Sequence, residues 1–415
     1  MTPRLTALLT PTEAKARFAR AYTPRPRGIE RVPLVETFGR VLAQDAEAPE
    51  DVPEFDRATV DGYAVRSESV AGASADTPAA LALIDEVLMG APAGTEVAPR
   101  TAVRIPTGGM IPDGADAVVM LEDVNVGDDR TVAVIRPARP GDNIMRRAED
   151  VRAGEVALRA GVRLRPQDLA LLAAIGVAEV DVFVRPRVAV VPTGDEIVPP
   201  GRRPGPGQIR DANTYALAAL VRQEGGEPRL HGVVRDDYGA LLRTLAEARG
   251  SSDLVLVSGG TSVGAKDEVA RAIGELGRPG VIVHGVEIKP GKPTILALVD
   301  GTPVVGLPGN PVSGMVIFDV FVRDLLRGLA GWTAPRAFGQ TVRARMDRRI
   351  ASAGVREDHI RVALESRADG VWAVPVLGKS GIITTMTRAD GVVVVPTGQD
   401  SVDRGDEVEV QLFPP

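Results

Sequence analysis

The residues best suited to chemistry form a run from Ser258 through Gly259, Gly260, Thr261, Ser262, Val263, Gly264, Ala265 and Lys266 to Asp267, directly after the apolar segment Leu254 to Val257. Glycine lets a backbone approach an anion closely and turn several N–H groups toward it, and Thr261 and Ser262 add hydroxyl donors. The run therefore reads as a phosphate cradle. It is not a Walker A loop, since no Gly-Lys-Ser/Thr triplet follows, and its glycine spacing is not that of a dinucleotide loop. A plain strand-to-helix turn accounts for the glycines but not for the hydroxyls or the closing Asp267.

Two more runs have comparable chemistry. Glu287-Ile288-Lys289-Pro290-Gly291-Lys292-Pro293 is stiffened by its prolines and presents two ammonium groups, which suits a phosphate or another anion. Gly306-Leu307-Pro308-Gly309-Asn310-Pro311-Val312-Ser313 lies between an apolar strand and a long helix, where free N–H groups and the positive end of the helix dipole favour an anion. Taken alone, that run fits a simple helix start equally well. Glu196, Asp236 and Asp267 each follow a predicted strand, so all three are expected on one sheet edge, where they would hold Mg²⁺ against a phosphate. Solvated surface acids are the plainer alternative for any one of them.

Composition narrows the chemistry further. The 415-residue chain has no cysteine and three histidines, which excludes disulfides, thiolate catalysis and Cys-ligated zinc or iron–sulfur centres and leaves a hard, carboxylate-bound cation as the expected metal. Only five of its 49 basic residues are lysine, and Lys266, Lys289, Lys292 and Lys379 all fall in Gly- or Pro-rich loops, as if a compact ammonium were required there. A net charge of −6 argues against a general nucleic-acid binder. No window is long and apolar enough to span a bilayer and the start does not read as a signal peptide, so no membrane partner is expected and the cytoplasm is the expected compartment.

Positioning these loops requires several domains, because one core does not serve a chain of this length. The expected fold class is multidomain α/β plus β. A helix is predicted over Pro11 to Arg20 with Thr12 as its cap, inside a discontinuous elongated domain of residues 1–54 and 140–185 whose second helix, Pro166 to Ile175, is expected to pack on the first. Short β-like runs such as Ala102 to Ile105 and Ala117 to Met120 predict an inserted β domain over 55–139. Residues 186–331 alternate strand and helix and predict a central α/β domain with a mostly parallel sheet and its ligand loops at the strands' carboxyl ends. Strands are expected at Val188 to Val191, Leu254 to Ser258, Val281 to Val286, Thr294 to Val299 and Val304 to Leu307, with a strand ending near Val234 before Asp236. Helices are expected at Asn213 to Arg222, Tyr238 to Arg249, Glu268 to Leu276 and Val312 to Leu329. Residues 332–415 alternate as a C-terminal β-barrel or sandwich.

The runs Thr193-Gly194-Asp195-Glu196, the serine–glycine loop, Pro290-Gly291-Lys292-Pro293 and Gly306 to Ser313 together resemble the molybdopterin molybdenumtransferase family, whose eukaryotic relative is the C-terminal domain of gephyrin. The resemblance spans nearly the whole chain. Phe55 to Val65, which contains Asp61-Gly62-Tyr63-Ala64, Ile105 to Gly108 and Glu149-Asp150-Val151 are similar to further stretches of that family. The resemblance implies an enzyme that takes adenylylated molybdopterin and molybdate, releases AMP and forms molybdenum cofactor, with Mg²⁺ as cofactor. It implies a homodimer whose site is shared between the α/β domain of one subunit and the inserted β domain of the other, with molybdopterin adenylyltransferase and molybdoenzyme apoproteins as further partners. Catalytic roles fall by resemblance to Asp61, Thr107, Asp150, Glu196, Asp236, Asp267 and Lys289. Substrate contacts fall to Ser258, Gly259, Gly260, Thr261, Ser262, Gly264, Lys292, Pro308, Gly309, Asn310, Pro311, Ser313, Arg147 and Ser380. The chain departs from the family pattern at Gly285 and Met145, where basic residues are common. Two alternatives are a molybdopterin adenylyltransferase, against which the extra β domains argue, and a non-catalytic gephyrin-like scaffold, for which no linker or receptor-binding segment is evident.

Overall fold

The computed structural model describes residues 8–127, 130–260, 268–333, 341–352 and 354–413. The first helix, α1 (Pro11–Ala21), is capped by Thr10 rather than Thr12: Thr10 and Glu13 form a reciprocal capping box and Pro11 fills the first helical position. Its buried residues Ala14 and Phe18 pack with Val188, Leu254 and Phe318 in the core of the α/β domain. The expected packing of the second helix, α2 (Pro166–Ala174), on α1 is therefore not found. Instead α2 joins Leu42, Val151, Leu164 and Val182 in a separate core, around an antiparallel pair formed by Ile29–Pro33 and Glu179–Phe183. A helix shows its apolar face in sequence, but not the partner that covers it.

The inserted domain is a six-stranded sheet ordered Ala117–Met120, Gly62–Val65, Thr101–Ile105, Ala79–Glu86, Thr131–Val134 and Val124–Val126. The pair formed by Arg57–Ala58 and Ile144–Met145 lies beside it, and Ile144 packs into one of its two cores.

The central sheet is built from β1 (Arg187–Pro192), β2 (Glu227–Leu230), β3 (Leu254–Ser258), β4 (Pro279–His284), β5 (Ile295–Val299) and β6 (Thr302–Leu307), ordered β2-β1-β3-β6-β5-β4. The first four strands in that order are parallel, and β5 runs antiparallel to both β6 and β4. Alternate residues of the buried runs face opposite layers. Val188, Val190, Leu254 and Leu256 meet α3 (Asn213–Gln223), whereas Ala189, Val191, Val255 and Val257 meet α4 (Tyr238–Ser251) and α5 (Glu268–Leu276). The predicted helix from Val312 is continuous but divided into α6 (Pro311–Ile317), a π-helical turn Phe318–Val322 and α7 (Arg323–Leu329).

Two strand expectations shift. The strand expected over Val281 to Val286 ends at His284, because Gly285 adopts φ +86° and breaks it. The strand expected to end near Val234 is β2, which stops at Leu230; Val234 instead forms a lone parallel bridge to Thr193.

The C-terminal strands β7 (Thr341–Met346), β8 (Glu357–Arg367), β9 (Gly370–Pro375), β10 (Gly391–Val395) and β11 (Glu407–Leu412) close on themselves in the order β8-β9-β7-β11-β10, with β10 returning to β8. This is a closed β-barrel with Met346, Val362, Ala373 and Val410 in its core. Ile288–Lys289 extends the barrel sheet by pairing parallel with Glu357 and Asp358 of β8, which joins barrel and α/β domain. Among the described residues no helix is long and apolar enough to cross a membrane.

Candidate functional site

The carboxyl ends of β1, β3, β4 and β6 open on one edge of the sheet, as their relative directions require, and the predicted loops follow them. Main-chain bonds hold these loops together: Thr193 N donates to Ser258 O (2.8 Å), Gly194 N to Val234 O (3.0 Å) and Gly259 N to Leu307 O (3.1 Å). Gly259 has φ +97°, and a Cβ there would lie 2.5 Å from Thr193 O. Asn213, at the start of α3 and 8% exposed, donates through Nδ2 to Ser258 Oγ (2.6 Å) and Gly309 O (2.8 Å). One buried amide thus ties the loop after β3 to the loop after β6.

The acids divide. Glu196 and Asp236 are exposed on this edge, and their segments are joined where Asp236 N donates to Asp195 Oδ1 (3.3 Å). Asp267 lies outside the described residues, as do Thr261, Ser262 and Gly264. No group of three metal-binding side chains occurs among the described residues. Exposed carboxylates are nevertheless the donor set that a hard cation such as Mg²⁺ takes, so Glu196 and Asp236 fit that ion chemically.

Beside this edge lies a cavity of 790 Å³ between the α/β domain and the barrel. Pro308, Asn310 and Ser313 line it from one side together with Lys289 and Lys292, and Arg349, Arg356, Arg361, Lys379 and Ser380 line it from the barrel. Three of the four loop lysines singled out by composition therefore face one space. Lys289 Nζ lies 3.3 Å from Asp358 Oδ2, which also accepts from Ser352 Oγ (2.8 Å), whereas the buried Asp358 Oδ1 has no partner among the described residues. Arg361 is 7% exposed and donates through Nη2 to Gly378 O (2.9 Å), but its buried Nε is unpartnered among the described residues; burial lowers the pKa of its guanidinium. Ser380 Oγ accepts from Asn310 Nδ2 (2.9 Å), and its carbonyl accepts the N–H of Val312 (3.2 Å). The amide nearest the start of α6, just after Pro311, is thus taken by the barrel.

In the inserted domain, Thr107 donates from both N (2.7 Å) and Oγ1 (3.0 Å) to Asp61 Oδ1. The backbone bond, then the hydroxyl bond, holds the Asp61 carboxyl below the usual carboxylate range. Asp150 is exposed, and Arg147 pairs through Nε with Asp51 Oδ2 (2.7 Å). No hydrogen bond or ion pair joins Asp61 or Thr107 to the α/β loops within the described chain.

Gly285 explains one departure from the family pattern. Its φ is positive, and a Cβ there would lie 2.6 Å from Leu8 Cδ2, which leaves no unstrained place for a basic side chain. Residues missed in the sequence are Asn213, Asp358, Arg349, Arg356 and Arg361. Asn213 reads in sequence only as a helix start, and the others stand on barrel strands and loops distant along the chain.

Gly- and Pro-rich loops at a sheet edge, beside a cavity lined by lysines and arginines between that edge and a closed barrel, define a multidomain α/β and β protein. Three family models match in succession: MoeA N-terminal region (domain I and II) over residues 9–176, probable molybdopterin binding domain over 189–328, and MoeA C-terminal region (domain IV) over 343–413. The chain is 36% identical over 391 residues to the molybdopterin molybdenumtransferase of Nostoc sp., covering 93% of this chain and 89% of that protein. It is 32% identical over 411 residues to that of Haemophilus influenzae, covering 98% and 99%. It also matches the crystal structure of a molybdopterin biosynthesis moeA protein from Pyrococcus horikoshii with TM-score 0.84 and 34% identity, covering 98% of this chain and all of that one. The chain belongs to the molybdopterin molybdenumtransferase family, within molybdenum cofactor biosynthesis. A match along the full length does not favour the adenylyltransferase or scaffold alternatives.

Proposed function

We propose that the protein transfers molybdenum from molybdate to adenylylated molybdopterin, releasing AMP and leaving the metal on the pterin dithiolene. The observation that carries this reading is the continuity between a phosphate-type loop edge and a cavity of 790 Å³ lined by Lys289, Lys292, Arg349, Arg356, Arg361 and Lys379. Convergent cations in a partly enclosed space favour an oxyanion, because each Coulomb attraction is less screened than in bulk water. Molybdate enters as substrate, and the thiolates that bind molybdenum belong to the pterin, which accommodates a protein without cysteine.

The chain's own groups bind and orient. Ser258, Gly259 and Gly260, with Thr261, Ser262 and Gly264, hold the phosphates. Lys289 and Lys292, with Pro308, Gly309, Asn310, Pro311, Ser313 and Ser380, hold the anions where edge and cavity meet. Glu196, Asp236 and Asp267 would hold Mg²⁺, which when bound neutralises charge on the phosphates and on departing AMP. Asp61 and Thr107 act from the inserted domain of the second subunit of a homodimer, and Asp150 and Arg147 from the segment of that subunit that follows it. The protein works in the cytoplasm, beside molybdopterin adenylyltransferase and the apoproteins that receive the cofactor.

Calorimetric titration with molybdate tests the cavity assignment. The wild type should bind it, and Lys292→Ala and Arg361→Ala should each weaken binding by about tenfold or more, as for loss of a charge-assisted contact. Unchanged affinity in both variants would remove the cavity from the reaction.

A further inference from the structure

We propose that Asn213 is a positioning residue that turns the Ser258 hydroxyl into a one-way donor and fixes the two anion-binding loops at a set separation. The inference rests on the phosphate-binding reading of the loop after β3. An amide group rotated by half a turn exchanges its oxygen and nitrogen, so the orientation of Asn213 must be argued from its partners. The atom 2.8 Å from Gly309 O faces a carbonyl, which only accepts. That atom must be Nδ2.

The same Nδ2 lies 2.6 Å from Ser258 Oγ, and its two hydrogens are thereby both assigned. Ser258 Oγ must accept from Asn213, because Nδ2 has no lone pair to offer. Its own proton is then directed elsewhere, and no acceptor for it occurs among the described residues. Ser258 is 2% exposed, Asn213 is 8% exposed, and Thr193, whose amide donates to the Ser258 carbonyl, is 5% exposed. Neither hydroxyl nor amide has bulk water in which to reorient. A serine held this way presents a proton to an anion and cannot present its lone pairs through the bond already made to Asn213.

The second hydrogen acts on geometry. Gly309 sits between Pro308 and Asn310, which line the cationic cavity, whereas Ser258 opens the glycine loop. A Cβ on Gly309 would lie 3.6 Å from Gly259 Cα, so the two loops already approach to van der Waals contact. Asn213 spans that contact from a rigid helix and keeps the phosphate edge in register with the cavity. No shorter or longer side chain on the first residue of α3 reaches both acceptors with two donors: serine has one proton, and glutamine is longer by a methylene.

The test uses the full-length protein, with AMP as the binding probe and molybdate-dependent AMP release as the kinetic readout. Asn213→Asp keeps the size but replaces the double donor by an acceptor, so the serine proton turns toward the carboxylate and Gly309 O loses its donor. Asn213→Asp and Ser258→Ala should each weaken AMP binding by about tenfold or more, the typical loss for a hydrogen bond to a charged group. The loss should fall on KM for adenylylated molybdopterin and on kcat, with KM for molybdate within about twofold of wild type. The double variant Asn213→Asp/Ser258→Ala should bind AMP no worse than the weaker single variant, because both changes remove the same donated proton. Circular dichroism melting of each variant accompanies the titrations. A double variant whose losses multiply, or an Asn213→Asp protein with wild-type affinity, would overturn the proposal. If Asn213→Asp fails to fold, Ser258→Ala decides alone: wild-type AMP affinity in a folded Ser258→Ala protein overturns it, and a tenfold loss with unchanged melting supports it. Wild-type protein that binds AMP but releases none with molybdate would instead refute the proposed reaction while leaving the role of Asn213 to be decided by the binding series.

Discussion

Gly259→Ala is the sharpest single perturbation of the site. The residue has φ +97°, and an added Cβ would stand 2.5 Å from Thr193 O and 3.0 Å from Thr193 Oγ1. A side chain in the left-handed region costs about 1–2 kcal/mol, and forcing a methyl group into close-packed surroundings costs roughly 1–3 kcal/mol more. The obstacle is backbone at the end of a buried strand, so it cannot move aside as a flexible side chain would. Together these make about 2–5 kcal/mol, equivalent to a factor of roughly 30 to several thousand. If the loop holds its place, the cost appears as lost stability; if it moves, the Gly259 N–H bond to Leu307 O (3.1 Å) breaks, the Ser258 hydroxyl shifts with the loop and activity falls. Gly201→Ala is the control, since nothing among the described residues lies within 4 Å of its Cβ and its φ is ordinary. Urea unfolding and AMP release should both be measured, with Gly259→Ala losing at least about 30-fold in rate or the corresponding 2 kcal/mol in stability, and Gly201→Ala losing neither. A Gly259→Ala protein within twofold of wild type in both would refute the argument.

Other predictions concern the inserted domain and the shared site. Because Thr107 donors depress the Asp61 pKa, the Asp61–Thr107 tie contributes stability that is present above the unfolded value of about 3.9 and is lost as pH falls through the lower folded value. Thr107→Val removes the hydroxyl donor but leaves the backbone one, so NMR titration should show the Asp61 pKa moving partway back up; no movement would show that the hydroxyl bond is immaterial. In a homodimer with shared sites, mixing inactive Asp61→Ala and Asp267→Ala proteins under subunit exchange should restore activity toward about a quarter of wild type, since about half the dimers are mixed and each carries one intact site of two. Verified exchange without recovery would place a complete site in each protomer.

The parts of the fold that sequence made legible are those fixed by local physics. Leu254 to Ser258 and Val188 to Val191 read as apolar runs buried on both faces, and the strands Leu254–Ser258 and Arg187–Pro192 fall on them. Helices α4 and α5 likewise match their periodic segments, and the loops after β1, β3 and β6 reach one edge because parallel strands put their carboxyl ends together. What local pattern did not carry was long-range pairing. Phe18 marks an apolar helix face, but nothing nearby in sequence says that Val188 and Phe318 cover it. Glu227–Leu230 is a polar edge strand without an apolar signature. Arg361 and Asp358 stand on a barrel strand, and only the pairing of Lys289 with that strand brings them to the loop lysines. Asn213 reads as a helix start until its two acceptors, 45 and 96 residues away in sequence, are seen together.

The central claim is that molybdate insertion and AMP release are one reaction at this sheet edge and cavity. The direct measurement is AMP formation by the purified protein from adenylylated molybdopterin, followed with and without molybdate and with and without Mg²⁺. The account predicts AMP release that requires molybdate, stops with EDTA and resumes on adding Mg²⁺. AMP released at the full rate without molybdate, or no AMP released under any of these conditions, would contradict it.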